Sequence, residues 1–286
     1  MTSGSDAPAV LLEDIVLGES PRWYDGRLWF CDWGRREVVG VDPGGRREVL
    51  AGTPEHPWTI VWLPDGRMLC TAAGATELMC RWPDGECRAV ADLAPVSSVG
   101  WNELVVDGRG NAYANNVGFD LMAGEAPRPG LVALITPDGD VRQVADDVQF
   151  PNGMAITPDG STLIVAESYG HRLTAFAIAA DGGLGERRVW ADLGDGTPDG
   201  ICLDADGAVW YADVPNRRCA RVVEGGAVLQ TVDVDRGCFA CMLGGSDGTT
   251  LFIVAATWDG PAAMFEGAPT GRVLHVPAPA PHAGWP

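Results

Sequence analysis

The sequence predicts an all-β fold, a six-bladed β-propeller in which residues 1–286 form a single domain. Turn glycines recur at intervals of 40, 44, 50, 47 and 41 residues, and each is followed by a short strand-like run. Further strand-like runs and turns fill the intervals. Repeats of this length with several strands each are typical of propeller blades. The turn glycines are Gly26, Gly66, Gly110, Gly160, Gly207 and Gly248.

The first run of the chain predicts how the ring of blades closes. The last repeat contains only three strand-like runs, which are CFACMLGG, TTLFIVAA and GRVLHVP. The run AVLLEDIVL, residues 9–17, precedes the first repeat and resembles CRAVADLAP, the fourth run of the second repeat. We therefore expect the N-terminal strand to complete the last blade, which would leave no open sheet edge.

Composition limits the classes of partner and mechanism. The 286 residues include 39 acidic and 20 basic ones, and the net charge of −19 disfavours nucleic acid and anionic membranes as partners. Every basic residue is arginine, which excludes lysine as a Schiff base or general base. The N-terminus lacks the features of a signal peptide, and no apolar run is long enough for a membrane span. These features predict a cytoplasmic protein with no evident protein partner.

The cysteine pattern predicts free thiols. Most of the eight cysteines stand singly in apolar runs, as buried thiols do in a reducing compartment. Cys80 and Cys87 flank the turn in CRWPDGEC and could face each other across a hairpin, although a disulfide is not expected in the cytoplasm. Cys238 and Cys241 form one C-x-x-C without a second pair, which is a weak signal for zinc.

The first strand of each repeat contributes one side chain to a common position near the propeller axis. All of these strands enter the channel from the same face, so the side chains at this position should form a ring at one mouth. The position lies eight residues before the turn glycine, or seven in the shorter first hairpin. The ring consists of Glu19, Trp58, Asn102, Asn152, Asp199 and Ala240.

This ring predicts a metal site. Acids that converge on an axis repel each other and lose hydration unless a cation joins them. Carboxylate and amide oxygens without thiol or imidazole favour a hard divalent ion. Ca²⁺ fits best, with Mg²⁺, Mn²⁺, Zn²⁺ and Fe²⁺ as alternatives. Asn152 or Asp199 alone could be only a turn residue before glycine, and it is the shared register across the repeats that favours a function.

The ring also predicts hydrolytic chemistry. A divalent ion could polarise the carbonyl of an ester or lactone. Asp199 is the candidate catalytic residue because a second carboxylate could orient or deprotonate water, while Glu19 and Asn152 chiefly fix the ion. Trp58, Trp101 and His56 lie near the same mouth by register. Both tryptophans are equally consistent with substrate contact and with core packing.

Four motifs resemble the senescence-marker-protein, gluconolactonase and luciferin-regenerating-enzyme family. LGESPRWYDGRLWFCDW, NELVVDGRGNAYANN, FPNGMAITPDGSTLIVAES and TPDGICLDADGAVWYAD look like the motifs of its first, third, fourth and fifth blades, in order. The resemblance implies a six-bladed propeller with one axial divalent cation. It places Glu19, Asn152 and Asp199 on the metal ligands and Asn102 on a substrate-binding or outer asparagine. The implied activity is mostly hydrolysis of lactones, with some phosphotriesters and related esters.

The sequence departs from the family pattern at two positions. Sugar-lactone members often carry an arginine two residues before the asparagine, and this chain has Gly100. The acid that follows the asparagine is Glu103 rather than aspartate. The missing arginine argues against a sugar lactone and favours a less hydroxylated or more aromatic substrate. The predicted substrate-binding residues are Asn102, Glu103, Trp101, Trp58 and His56.

Two other classes of function remain open at this level. Propellers often serve as binding platforms, and a metal could merely stiffen the ring. A biosynthetic catalyst resembling the strictosidine synthases would share the six-bladed fold without this metal set, and the presence of Glu19, Asn152 and Asp199 argues against it. A metal-dependent hydrolase acting on a small-molecule lactone or ester is the favoured prediction.

Overall fold

The computed structural model describes residues 7–261 and 268–284. Within these residues the chain forms 24 strands in six four-stranded antiparallel sheets. The first strands of neighbouring sheets contact one another around the whole ring and therefore line the axis. The predicted six-bladed β-propeller is confirmed. No helix in the described part of the chain is long and apolar enough to cross a membrane.

The strands follow one another in blade order. The N-terminal strand is β1 (Ala9–Ile15). Blade 1 comprises β2 (Gly18–Tyr24), β3 (Arg27–Asp32), β4 (Glu37–Val41) and β5 (Arg47–Val49). Blade 2 comprises β6 (Pro57–Trp62), β7 (Met68–Ala72), β8 (Glu77–Arg81) and β9 (Cys87–Asp92). Blade 3 comprises β10 (Glu103–Val106), β11 (Ala112–Asn116), β12 (Gly130–Ile135) and β13 (Val141–Val148).

The second half of the ring repeats this order. Blade 4 comprises β14 (Pro151–Ile156), β15 (Thr162–Glu167), β16 (Arg172–Ile178) and β17 (Leu184–Asp192). Blade 5 comprises β18 (Pro198–Leu203), β19 (Val209–Asp213), β20 (Arg218–Val222) and β21 (Val228–Asp233). Blade 6 contains β22 (Gly237–Gly244), β23 (Thr250–Ala256) and β24 (Gly271–Pro277) together with β1.

The N-terminal strand closes the ring as the sequence predicts. Strand β1 pairs antiparallel with β24, with Ala9 opposite His275 and Ile15 opposite Gly271. Ile15 is buried in the same hydrophobic cluster as residues of β22, β23 and β24. The last blade is therefore built from both ends of the described chain, and β24 has no free edge.

The middle strands are buried on both faces because each blade packs between two others. In β7, Met68 and Cys70 pack toward blade 1, while Leu69 packs toward blade 3. Such strands need apolar residues at consecutive positions rather than alternation with polar ones. This explains uninterrupted runs such as LWFC in blade 1 and LFIVAA in blade 6.

The cysteines are all free thiols, and seven of the eight are buried. Cys80 and Cys87 lie on opposite faces of blade 2, since Cys80 belongs to the cluster facing blade 3 and Cys87 packs with the cluster facing blade 1. A disulfide between them is excluded by this placement. Cys238 and Cys241 lie within β22. Among the described residues, no group of three or more histidine, cysteine, aspartate or glutamate side chains is placed to hold a metal.

The C-terminal segment after β24 crosses the lower end of the central channel. The amide of Ala205 donates to the carbonyl of Pro281 at 2.8 Å, and the amide of Ala283 donates to the carbonyl of Leu203 at 3.1 Å. A cavity of about 30 Å³ remains between His282 and the inner strands. The segment therefore covers the end of the channel opposite the predicted ring.

Candidate active site

The inner strands place the predicted ring residues at equivalent positions. Asn102 immediately precedes β10, and Ala240 is the fourth residue of β22. The other four ring residues are each the second residue of an inner strand. They are Glu19 in β2, Trp58 in β6, Asn152 in β14 and Asp199 in β18.

A β-bulge lies at the ring position in each of these four strands. Pairing with the next strand shifts after Glu19 in β2, after Pro57 in β6, after Pro151 in β14 and after Pro198 in β18. In β6, β14 and β18 the bulge leaves the ring residue out of the ladder and re-aims its side chain, whereas in β2 Glu19 itself pairs with Cys31 and the bulge follows it. Asn152 and Asp199 are therefore strand residues, and the interpretation of them as turn residues before glycine is wrong.

The glycines after Asn152 and Asp199 allow the inner strands to converge. A Cβ atom added at Gly153 would lie 2.5 Å from the backbone nitrogen of Ile201, and one at Gly200 would lie 2.5 Å from Cβ of Ala240. Both distances are too short for any side chain. The repeated Asx-Gly pair thus combines an oxygen donor with the close strand approach that narrows the channel.

A cavity of about 1010 Å³ opens above the ring. The structure brings all eight predicted site residues to its lining, although they come from five blades or the segments before them. They are Glu19, His56, Trp58, Trp101, Asn102, Glu103, Asn152 and Asp199. Their individual roles in binding and catalysis stay predictions.

The two acids of the ring are enclosed, and the charge of Arg22, which pairs with Glu103, offsets the effect of burial on Glu19 only in part. Burial raises the pKa of Glu19 well above its ordinary value, and the charges of Asp199 and Glu103 raise it further. Burial likewise raises the pKa of Asp199, followed by the charge of Glu103. Within the described residues, no hydrogen bond reaches Asp199 Oδ1. Two enclosed carboxylates beside an amide, one of them with a buried oxygen that accepts no hydrogen bond, form a donor set that fits a hard divalent cation.

Glu103 lies in a buried hydrogen-bond network beside the ring. Its Oε1 atom accepts hydrogen bonds from Arg22 Nη2 at 2.8 Å, Thr59 Oγ1 at 2.6 Å and Ser20 Oγ at 3.2 Å. The backbone amide of Leu104 donates to the same atom at 2.8 Å. These contacts join blades 1, 2 and 3 across the axis. They give Glu103 a positioning role that the sequence analysis missed, alongside its predicted contact with substrate.

The Arg22–Glu103 pair should be important for stability. Both side chains are 9% exposed, so Glu103→Ala would leave a buried guanidinium without its carboxylate. We expect the free energy of unfolding to fall by about 3–5 kcal/mol, measured by denaturant titration. Glu224→Ala, which breaks the exposed Arg188 pair, is the matched control and should change the midpoint little. Equal midpoints for the two variants would contradict the assigned role.

Two tryptophans form one wall of the cavity. The rings of Trp33 and Trp58 stack at 3.5 Å between centroids and 12° between planes. Trp33 Nε1 donates to the carbonyl of Trp58 at 2.8 Å, and Trp58 Nε1 donates to Asn102 Oδ1 at 3.4 Å. The indole of Trp58 is thus held next to Asn102. The sequence analysis missed Trp33, which belongs to another blade and follows β3.

The other predicted wall residues differ in exposure. Trp101 is 1% exposed and packs in the core between blades 2 and 3, so it borders the cavity only at its edge. His56 lies 6.0 Å from Trp58, edge to face. Burial and then the charge of Arg36 lower the pKa of His56, which favours a neutral imidazole at pH 7.

The backbone around Gly100 leaves little room for the arginine that is absent there. A Cβ atom at this position would lie 3.1 Å from Cα of Gly74, so a longer side chain would meet the turn after β7. The guanidinium on the cavity lining belongs to Arg128, in the loop before β12, and it pairs with Glu125 at 2.8 Å. This loop, residues 117–129, was not singled out from the sequence.

Most of the chain is similar in sequence to known proteins. The family described as SMP-30/Gluconolactonase/LRE-like region matches residues 17–257. Regucalcin from Xenopus laevis is 28% identical over 260 residues, which cover 86% of this chain and 85% of that protein. A pentonolactonase from Haloferax volcanii is 25% identical over 264 residues, covering 88% and 85%.

A solved structure shows the same fold. The crystal structure of a calcium-binding protein, regucalcin, from Agrobacterium tumefaciens superposes with a TM-score of 0.79 at 22% identity. The superposition covers 98% of this chain and 95% of that one. The family match spans most of the chain and includes every predicted metal ligand. The chain therefore belongs to the SMP-30/Gluconolactonase/LRE-like family.

Proposed function

We propose that this protein is a metal-dependent hydrolase that opens the ring of a lactone or a related ester. The observation that carries the proposal is the enclosed set of Glu19, Asn152 and Asp199 at the base of the cavity. Two comparisons support the chemistry, since the family description includes gluconolactonase and the Haloferax volcanii relative is a pentonolactonase. The cavity volume suits a small molecule rather than a polymer.

Glu19, Asn152 and Asp199 would hold the cation. Their oxygens suit Ca²⁺ best, and Zn²⁺, Mn²⁺, Mg²⁺ and Fe²⁺ are alternatives. The calcium-binding regucalcin from Agrobacterium tumefaciens supports the first choice. When bound, the cation would offset the enclosed negative charge and act as a Lewis acid toward the substrate carbonyl.

Residues of the chain would transfer the proton, orient the substrate and hold the inner strands in place. Asp199 accepts a proton from water as the water oxygen bonds to the carbonyl carbon, and its unengaged Oδ1 is available for this transfer. The same carboxyl returns the proton to the ring oxygen as the acyl C–O bond breaks, which yields a hydroxy acid. Asn102, held by Trp58, orients the lactone. Glu103 holds the inner strands of blades 1, 2 and 3 in place for this arrangement.

A pH-drop assay over a panel of lactones, with and without chelator, tests the proposal. We expect acid release with at least one lactone, loss of this release after chelation, and recovery when a divalent cation is restored. Turnover that survives exhaustive chelation would overturn the metal dependence. No turnover of any lactone or ester by protein with a measured metal content would instead favour a binding function.

Replacing Glu19 with glutamine should mainly raise the metal requirement. The amide keeps one oxygen ligand but removes a charge, so the metal concentration for half-maximal activity should rise at least about tenfold, the effect of roughly 1.4 kcal/mol of binding energy. Much of kcat should return at saturating metal, as measured by titrating activity with Ca²⁺. Glu224→Gln, an exposed acid far from the ring, should leave the titration unchanged. A kcat that stays low at all metal concentrations would give Glu19 a role beyond metal binding.

A further inference from the structure

We infer that the substrate is an uncharged lactone that carries an aromatic ring, and this inference rests on the proposed lactone hydrolysis. The argument uses aromatic side chains from several blades and the charge of the cavity lining. Neither feature belongs to the metal-binding set, and each concerns the part of the substrate away from the reacting carbonyl.

Trp58 forms a flat apolar surface next to the predicted reaction centre. It occupies the ring position of blade 2, where blades 1, 4 and 5 place the metal-binding residues. The buried indole of Trp33 covers one of its faces, and Trp58 itself is only half-buried and lines the cavity. An indole fixed by stacking on Trp33 and by its own hydrogen bond to Asn102 offers a preorganised surface for a second planar ring.

A second aromatic group lines the cavity from blades 3 and 4. Phe150 lies 4.5 Å from Tyr169 and 5.8 Å from Phe119, measured between ring centroids. Phe150 has a φ of 55°, a left-handed conformation that is costly for a bulky residue. The amide of Ser168 donates to the carbonyl of Phe150 at 3.1 Å and helps to fix this backbone. The fold thus maintains a strained residue whose ring lies at the cavity wall, and Tyr169 is 51% exposed there.

The charge of the lining argues against anionic substrates. Arg128 is the one guanidinium among the described lining residues, and it is already paired with Glu125. Once a cation offsets Glu19 and Asp199, the lining still carries Glu103, Asp120 and Glu125 against Arg128, so a phosphorylated or carboxylated lactone would meet net negative charge. A hydroxyl-rich lactone would find no arginine at Gly100 and would leave hydroxyls facing indole and phenyl rings. The carboxylates on the lining are Glu19, Glu103, Asp120, Glu125 and Asp199.

The kinetic test compares two lactones that share a six-membered ring. Dihydrocoumarin carries a fused benzene ring, and δ-valerolactone lacks it. Because Trp58 also holds Asn102, Trp58→Leu should lower kcat/KM for both lactones, but about tenfold to a hundredfold more for dihydrocoumarin than for δ-valerolactone. Each substrate is compared between two enzymes, so its intrinsic reactivity cancels. Trp82→Leu removes an indole that stacks on Arg88 outside the cavity and is the matched control.

A second variant and a binding measurement keep the test decisive. Tyr169→Leu changes an exposed ring and should fold even if Trp58→Leu does not, and it should also lower dihydrocoumarin turnover selectively. Calorimetry with α-tetralone and cyclohexanone, which cannot be hydrolysed, measures the aromatic contribution at saturating Ca²⁺ without turnover. We expect α-tetralone to bind the parent at least about tenfold more tightly than cyclohexanone, and Trp58→Leu to reduce this preference.

The outcomes separate the two proposals. Equal losses on both lactones in the variants, together with no preference for α-tetralone, would overturn the aromatic substrate while leaving lactone hydrolysis intact. A higher kcat/KM for gluconolactone than for dihydrocoumarin, each divided by its hydroxide-catalysed rate, would overturn it as well. Selective binding of α-tetralone without hydrolysis of any lactone would support the aromatic site and reject the hydrolase.

Discussion

Asp199→Asn is expected to lower kcat by roughly a hundredfold to ten-thousandfold at saturating metal, the usual contribution of a positioned general base. The substitution keeps an oxygen for the metal and almost the same volume, but the amide cannot accept the proton of the attacking water. Binding of metal should also weaken, because one of two charged ligands is lost. Measuring kcat against metal concentration separates these effects, since only the weaker binding is recovered by adding metal.

Comparison with Glu19→Gln tests whether Asp199 acts as the general base or only as a metal ligand. Both variants remove one charge from the same centre, so a difference in kcat at saturating metal reports the proton transfer alone. Asp195→Asn, in the exposed loop just before β18, is the control for nonspecific effects of the substitution. Full recovery of activity by Asp199→Asn at high metal would reduce Asp199 to a ligand and require another base.

Deleting residues 1–17 is expected to lower the melting temperature by more than about 10 °C or to cause aggregation, because several kcal/mol are lost in a domain of this size. The deletion removes β1 and the buried side chains of Ile15 and Leu17, which are 1% and 2% exposed. It would also leave the backbone groups of β24 unpaired along one edge. Calorimetry and light scattering measure the two outcomes.

A pair of point variants controls for the length change. Val10 is 47% exposed on the same strand, so Val10→Ala should have little effect, whereas Ile15→Ala should destabilise through the cavity it leaves. A deletion variant that melts like the parent would show that β1 does not close the ring in solution.

The repeat made the fold predictable from the sequence. Blade spacing and the three-stranded last repeat carried enough information to predict β1 as the fourth strand of blade 6. The same register placed Glu19, Asn152 and Asp199 together, because a residue at a fixed distance from each hairpin turn reaches the same height on the axis. Local pattern and global symmetry agreed at these positions, which is why the prediction reached individual residues.

Contacts between different blades were not predictable in this way. The contact of Arg22 with Glu103 joins residues 81 positions apart, and no periodic signal relates their side chains. Phe150 adopts a left-handed backbone conformation although it is not a glycine, so its residue type gives no sign of this conformation. The bulges could not be predicted for a different reason. Pro-Asx-Gly is also a common turn sequence, and only the pairing with the next strand distinguishes a bulge from a turn.

The C-terminal segment across the lower channel has a kinetic consequence. Pro281, His282 and Ala283 cover that end of the channel. In the described part of the chain, small molecules can therefore reach the ring only from the opposite end, through the large cavity. On the proposed function, each hydroxy acid formed at the ring would leave by the route through which the next lactone enters, so a bound product would block the next substrate. The proposed product is an anion, which the carboxylates of the cavity lining would repel while they leave a neutral lactone unaffected. The acidity of the lining would thereby weaken the binding of the product and so reduce inhibition of the enzyme by its own product.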